Sequence, residues 1–223
     1  MRERFSDPMV YSRPDAHWAG PDIVRVEIFK AFGYFNTESS QHMSEYVPYF
    51  RKRPELFERF KLVCRMDMLE GEEKLRGQRD EELRRLLSTD EKFPTQCSNE
   101  YCSYIVHSIE MGTPRRVNAN VRNSGLITNL PQGCCVEVPC LVDKSGIHPC
   151  HVGELPPQCA ALNRTNINVQ ELGVKAVIEK DKTLAFQAVL LDPLTSAILS
   201  IDEAQRMVNE MFKAESGYLK GFK

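Results

Sequence analysis

The sequence predicts an α+β fold in which antiparallel strands pack with long helices. Two observations carry this expectation. Apolar residues recur at helical spacing over 22–32, 54–87, 98–111 and again beyond 156, whereas over 116–121 and 136–141 they recur at every second position. The 223 residues are 42% hydrophobic and 27% charged, a balance that fills a core and rules out a disordered or fibrous chain.

Residues 1–20, with Pro8, Pro14 and Gly20, show little periodicity and are expected to form an irregular lead-in to a domain spanning 21–223. Val24, Ile28 and Phe32, with Ile23 and Phe29, fit one face of a helix that stops at Gly33. Ser39 or Ser40 can cap a second helix whose face carries His42, Tyr46 and Tyr49. Pro48 clashes with the carbonyl of Ser44, so this helix starts late, kinks or breaks there.

Residues 54–87 read as helix. Glu70/Lys74, Glu72/Arg76, Asp80/Arg84 and Glu81/Arg85 mark a solvated face, which Gly71 and Gly77 weaken locally. A Ser98 cap opens a helix through Tyr101, Ile105 and Ile109 that ends at Gly112. Val117, Ala119 and Val121, then Val136, Val138 and Cys140, define two strands paired across an Asn123-Ser124-Gly125 turn, with Pro139 placing the second strand at an edge or bulge.

Pro156 and Pro157 suit the first turn of a long helix through Ala161, Val169, Leu172 and Val177. Pro193 starts another after Asp192, and Asp202-x-x-Gln205 caps a final amphipathic helix bearing Met207, Val208, Met211 and Phe212. The strands are expected to pack on the helices at 21–32, 98–111 and 156–180.

Charge is balanced, 29 basic against 31 acidic side chains, so no net field draws the chain to nucleic acid or an anionic membrane. No apolar run approaches the ~20 residues of a membrane span, and the start, Met1-Arg2-Glu3-Arg4, lacks the apolar core of a signal peptide. A cytoplasmic protein is expected, with its eight cysteines reduced and mostly buried. There is no Cys-x-x-Cys; Cys97/Cys102 and Cys135/Cys140 fall at the outer range of zinc spacings, and His148, Cys150 and His151 form a second candidate set. The twelve glycines never fall one residue apart, so there is no G-x-G-x-x-G turn, and phosphate-loop and hydrolase-elbow motifs are also absent.

His42 and Tyr46 are an imidazole and a phenol one helical turn apart, beside a backbone irregularity, and such a pair can face a cleft. The competing reading makes Tyr46 a core aromatic and His42 a cap or surface residue. Asn163, Arg164, Thr165, Asn166 and Asn168 make one helix unusually polar, either as a hydrogen-bonded contact or as the wall of a polar ligand site.

Several blocks resemble the C-terminal half of glycoside hydrolase family 4, its alpha-galactosidase branch in particular. They are Phe32-Gly33-Tyr34-Phe35; Thr37-Glu38-Ser39-Ser40-x-His42; Glu45 through Phe50; Arg116-Val117-Asn118; Asn123-x-Gly125 through Pro131; Val136 through Cys140; Leu155-Pro156-Pro157-Gln158; Leu162 through Leu172; and Leu191 through Ser196. They follow one another in family order over almost the whole chain.

The resemblance implies a fold like the C-terminal domain of lactate and malate dehydrogenases, with the Rossmann domain missing from this sequence. It also implies a glycosidase that uses NAD and a divalent metal, Mn2+, to oxidise the sugar at C3, acidify the C2 proton and eliminate the glycosidic oxygen. The resemblance assigns the C2 base to Tyr46, with Tyr49 second; a phenol ordinarily titrates near 10, so a cation must lower it. It makes His42 a substrate or metal-shell contact, and Asn123, Asn129 and Tyr49 further substrate-binding residues. The family's dinucleotide fingerprint and its metal-binding cysteine and histidine have no counterpart here, which leaves the cofactor and metal residues of this sequence unassigned.

Implied substrates are small α-galactosides; implied partners are a separate N-terminal Rossmann chain and further copies of this one. Met1 falls where a full-length member is in mid-protein, so the expectation is a C-terminal domain alone. The alternative is a non-catalytic remnant serving oligomerisation. The substrate domain of a 2-hydroxy-acid dehydrogenase shares the fold, but it needs a His/Arg pair where this chain has Thr37-Glu38-Ser39-Ser40-x-His42.

Overall fold

The computed structural model describes residues 22–89 and 100–223. The expected lead-in over 1–20, the Ser98 cap and Cys97 lie outside them. Helix α1 (Ile23–Phe32) ends at Gly33, whose φ of 81° is the left-handed conformation that glycine adopts without strain. Ser39 caps α2 (Ser40–Met43), accepting from the His42 amide. The second helix is therefore a single turn, consistent with the clash expected at Pro48.

The region expected as one helix over 54–87 is two, α3 (Pro54–Arg59) and α4 (Arg65–Leu87), broken where Lys61 takes a φ of 50°. Along α4, Arg85 binds Glu82 through two bonds of 2.8 and 2.9 Å, one turn away at i, i+3. Helix α5 (Cys102–Met111) stops at Gly112, as expected.

Strands β1 (Arg115–Arg122), β2 (Cys135–Asp143) and β3 (Gly146–Pro149) form one antiparallel sheet in the order β1-β2-β3. The third strand was not expected, and it makes β2 the middle strand rather than an edge. Pro139 stands opposite Asn118 without a bulge. Its carbonyl accepts from the Cys150 amide, so its donor-less nitrogen faces the side on which β3 has already ended at Pro149.

One face of the sheet carries the main core: Val117, Val136, Val138, Cys140 and Val142. Ile105 and Ile109 of α5 and Ala160 and Ile167 of α6 (Pro157–Glu179) cover it. Each fully buried valine there stabilises the fold by about 1.5–3 kcal/mol. Helix α1 does not join this core as expected. It packs with Met43, Val47, Phe50, Leu56 and Phe60 in a second one, in which Phe50 and Phe60 meet edge-on at 4.9 Å.

Helices α7 (Lys182–Leu191), α8 (Pro193–Ile198) and α9 (Ile201–Ala214) complete the chain. Asp192 caps α8; α9 is capped by Ser200 in a reciprocal pair with Glu203, earlier than the expected Asp202. Of the seven described cysteines, all free, only Cys140 is buried, against the expectation that most would be. No helix among the described residues is long and apolar enough to cross a membrane.

At the β2–β3 turn, the Ser145 amide donates to Asp143 Oδ1 at 2.7 Å and His148 Nε2 lies 3.1 Å from the same oxygen. These contacts, the backbone donor first, hold the Asp143 carboxyl below its ordinary value. A depressed carboxylate contributes stability above its unfolded pKa near 4, and that contribution is lost as pH falls through the lowered value. Acid titration followed at the Gly146 and Ile147 amides by NMR should show the turn loosening below about pH 4. Asp143→Asn should flatten that response, and an unchanged acid transition in the variant would place the sensitivity elsewhere.

Candidate functional site

A cleft of about 660 Å3 opens between the two cores. One wall is the 34–38 loop with Met43, Tyr46 and Val47; the facing wall is α6, which presents Asn163, Asn166 and Gln170; Ile127, Leu130 and the start of β2 lie between.

The local sequence explains the loop wall. Gly33 ends α1 and releases the chain, and Arg25 clamps the loop beyond it. The Arg25 guanidinium binds Asp22 at 2.9 Å, donates to the Asn36 carbonyl at 3.1 Å and lies 4.2 Å over the Phe35 ring. Two side-chain amides of α6 tie this wall across the cleft: Gln158 donates to the Phe32 carbonyl at 3.2 Å and Asn166 to the Tyr46 carbonyl at 3.1 Å. Of the two readings offered for the polar helix, the hydrogen-bonded contact is present through Asn166, and Asn163 and Gln170 line the cleft beside it.

Tyr46 lines the cleft and is 45% exposed. His42 is beside it, rings nearly parallel at 15° and centroids 6.5 Å apart, though not on a shared helical face as expected and not in the cleft lining. Tyr49 turns from the cleft to Phe32 and Phe50, at 6.1 and 6.2 Å.

Asn123 and Asn129 sit away from the cleft. Asn123, 1% exposed, donates to the carbonyls of Ile127, Leu130 and Pro131 and accepts from the Ile127 amide, which makes it the strut of the β1–β2 loop. Asn129 exchanges two bonds with the backbone of Leu155, at 2.8 and 3.0 Å. Both expected sugar contacts thus have their amides engaged with backbone, outside the cleft lining.

Asn36, Glu38 and Glu137 line the cleft; Glu38 and Glu137 fall in the family-like blocks but carry no expected site role, and Asn36 lies outside those blocks. Both polar atoms of the Asn36 amide are occluded and have no partner among the described residues. Nothing in the sequence marks that residue. The spacing of Asn163, Asn166 and Gln170, three and then four residues on a helix, was a readable signal.

The described residues do not by themselves fit a metal site, since no group of three or more His, Cys, Asp or Glu side chains converges among them. Cys135 and Cys140, an odd number apart on β2, take opposite faces, one exposed and one buried. Burial pushes the Cys159 thiol, also in the cleft lining, above its ordinary value, away from the thiolate that metals bind. No dinucleotide-cradling glycine turn is present in the sequence.

The family model for the C-terminal domain of family 4 glycosyl hydrolases matches residues 3–195, and so begins within the segment expected as a lead-in. An alpha-galactosidase of Bacillus subtilis (strain 168) is 41% identical over 211 residues, covering 91% of this chain and 47% of the relative. An alpha-galactosidase of Rhizobium meliloti (strain 1021) is 36% identical over 206 residues, covering 88% and 42%. The chain therefore spans about half the length of these curated relatives.

Among solved structures, one from Bacillus subtilis superposes with a TM-score of 0.81 at 24% identity, covering 94% of this chain and 49% of that one. A 6-phospho-alpha-glucosidase from gut microorganisms, crystallised with NAD and Mn2+, superposes with a TM-score of 0.67 at 19% identity, covering 92% and 45%. These two show the same fold.

Asn123→Ala should lower stability by about 2–4 kcal/mol in urea unfolding, because it leaves several buried backbone groups without partners. The exposed Asn129→Ala should cost under about 1 kcal/mol. Comparable losses for the two variants would remove Asn123 from its place as the strut of this loop.

Proposed function

Because the chain belongs to glycosyl hydrolase family 4, as its C-terminal domain, we propose that it supplies the sugar-facing wall and the proton-accepting phenol of a glycosidase acting on α-galactosides. On this reading residues 21–223 form the domain, and NAD and the divalent metal are held outside the described residues. No step is therefore assigned to either group. The one step given to this chain is removal of the sugar C2 proton by the phenolate oxygen of Tyr46, the C–H electron pair passing toward a carbonyl at C3 as the phenol O–H forms, with Tyr49 left to pack on Phe32 and Phe50.

The observation that carries the proposal is the placement of Tyr46. It is the cleft-lining tyrosine of the Glu45–Phe50 block, its backbone is pinned by Asn166, and the wall it faces presents amides suited to hydroxyl groups. Tyr34 and Phe35 add aromatic faces for the apolar side of a sugar ring. The lining also includes Glu38 and Glu137 but no Lys, Arg or His among the described residues. Each carboxylate repels an anionic sugar by an energy on the order of 1 kcal/mol across a partly solvated cleft. That supports a neutral galactoside over a phosphorylated or uronic one, in keeping with the names of the two relatives at 41% and 36% identity.

A second reading, an oligomerisation domain without catalysis, is favoured by one feature. Val174, Val177 and Ile178 at the end of α6 are exposed together.

The test is hydrolysis of nitrophenyl α-galactoside with manganese, NAD and reductant, by the purified chain with and without the N-terminal half of a family member. The chain alone should be inactive, and the supplied half should restore turnover. Tyr46→Phe should then cut kcat by about 100-fold or more, with KM little changed, and abolish deuterium incorporation at sugar C2. Robust turnover by the chain alone would mean the cofactor site has been misplaced. No rescue by any N-terminal half, together with a stable oligomer in light scattering, would favour the second reading.

A further inference from the structure

Beneath the loop that carries Tyr46 lies a chain of charged groups that the proposed proton transfer does not itself use. Arg51 is 9% exposed. Its Nε donates to Ser44 Oγ at 2.8 Å, Nη1 to the Val63 carbonyl at 3.1 Å and Nη2 to Gln41 Oε1 at 3.2 Å. The same Nη2 lies 3.4 Å from Glu45 Oε1, and the other Glu45 oxygen lies 3.3 Å from His42 Nδ1. The imidazole in turn lies alongside the Tyr46 ring.

We infer that Arg51 and Glu45 fix the tautomer and orientation of His42 so that its ring props the Tyr46 phenol at the cleft wall. His42, Glu45 and Arg51 are then positioning residues, and His42 is not the sugar contact that its motif suggested. This rests on the role proposed for Tyr46.

The chemistry runs in one direction. A carboxylate only accepts, so the His42 nitrogen facing it carries the hydrogen. The fixed positive charge of Arg51 lies 3.4 Å from one Glu45 oxygen while the other faces His42, so the carboxylate is held electrostatically on one side and aimed at the imidazole on the other. Amide bonds from Glu45 to the His42 carbonyl and from Tyr46 to the Met43 carbonyl close the turn that brings the two rings to the same side. A parallel pair at 6.5 Å lies within the range where aromatic rings attract, which suits a support better than a proton relay.

Two spectroscopic signatures test this on the intact chain. Long-range proton–nitrogen NMR should find neutral His42 protonated at Nδ1. Glu45→Ala should transfer the hydrogen largely to Nε2, and Arg51→Lys should move it part of the way; if the lysine variant does not fold, Glu45→Ala carries the test. Ring-labelled tyrosine, assigned with Tyr46→Phe, should show the Tyr46 signal displaced in His42→Ala and restored in His42→Phe.

In the reconstituted enzyme, His42→Ala should lower kcat about tenfold at nearly constant KM, and His42→Phe should recover most of it. A wild-type His42 protonated at Nε2, an unmoved Tyr46 signal, or a raised KM that His42→Phe fails to rescue would each overturn the inference. The NMR signatures are read without turnover, so an inactive assembly would count against the proposed function alone.

Discussion

A guanidinium buried beneath the loop that carries Tyr46 is the constraint on which the rest of the site depends. Arg51 is almost wholly shut off from water, so its donors must find acceptors inside the fold, and residues 41–45 and the carbonyl of Val63 supply acceptors to it. Gln41 closes the ring of contacts by donating to the Lys61 carbonyl and accepting from the Val63 amide. Breaking a buried charge pair by removing one partner typically costs about 3–5 kcal/mol. These contacts tie down a stretch that has only a single turn of helix of its own.

That firmness matters because the cleft lies between two cores rather than inside one. The α1–α3 core holds the loop wall, the sheet core holds α6, and polar bridges run across the gap from Gln158 and Asn166 to carbonyls at Phe32 and Tyr46. A side chain seated on such a boundary, as Tyr46 is, is only as well placed as the loop behind it. Family membership gives the cleft its chemical context; the Arg51–Glu45–His42 chain gives Tyr46 its orientation.

The elements that rest on local pattern were legible in the sequence. Alternating valines set β1 and β2 in register, Gly33 and Gly112 marked helix ends, and the Pro156-Pro157 and Asp192-Pro193 pairs marked helix starts. What escaped was decided by partners distant in sequence. Pro139 suggested an edge because the short strand Gly146–Pro149, with exposed isoleucine and histidine side chains, carries no alternation to announce a third strand. Asn123 read as a turn residue and, by resemblance, as a sugar contact, and its bonds to residues four to eight positions on are visible only once the loop has folded over it. In the site, Tyr46 and His42 were legible as a pair and the amides of α6 as a polar face. Arg51 was not, since ten residues separate it from Gln41 and twelve from Val63.

Native-state amide hydrogen exchange across residues 39–63 tests most directly whether that buried charge holds the site. If it does, the Ser44 amide, bonded to the Ser40 carbonyl, and the Val63 amide, bonded to Gln41, should open together, with protection comparable to that of the Ile28 and Phe29 amides in α1. Exchange of Ser44 and its neighbours on the fast timescale of a fraying loop, while α1 stays protected, would show that Arg51 does not hold the wall and would contradict the account.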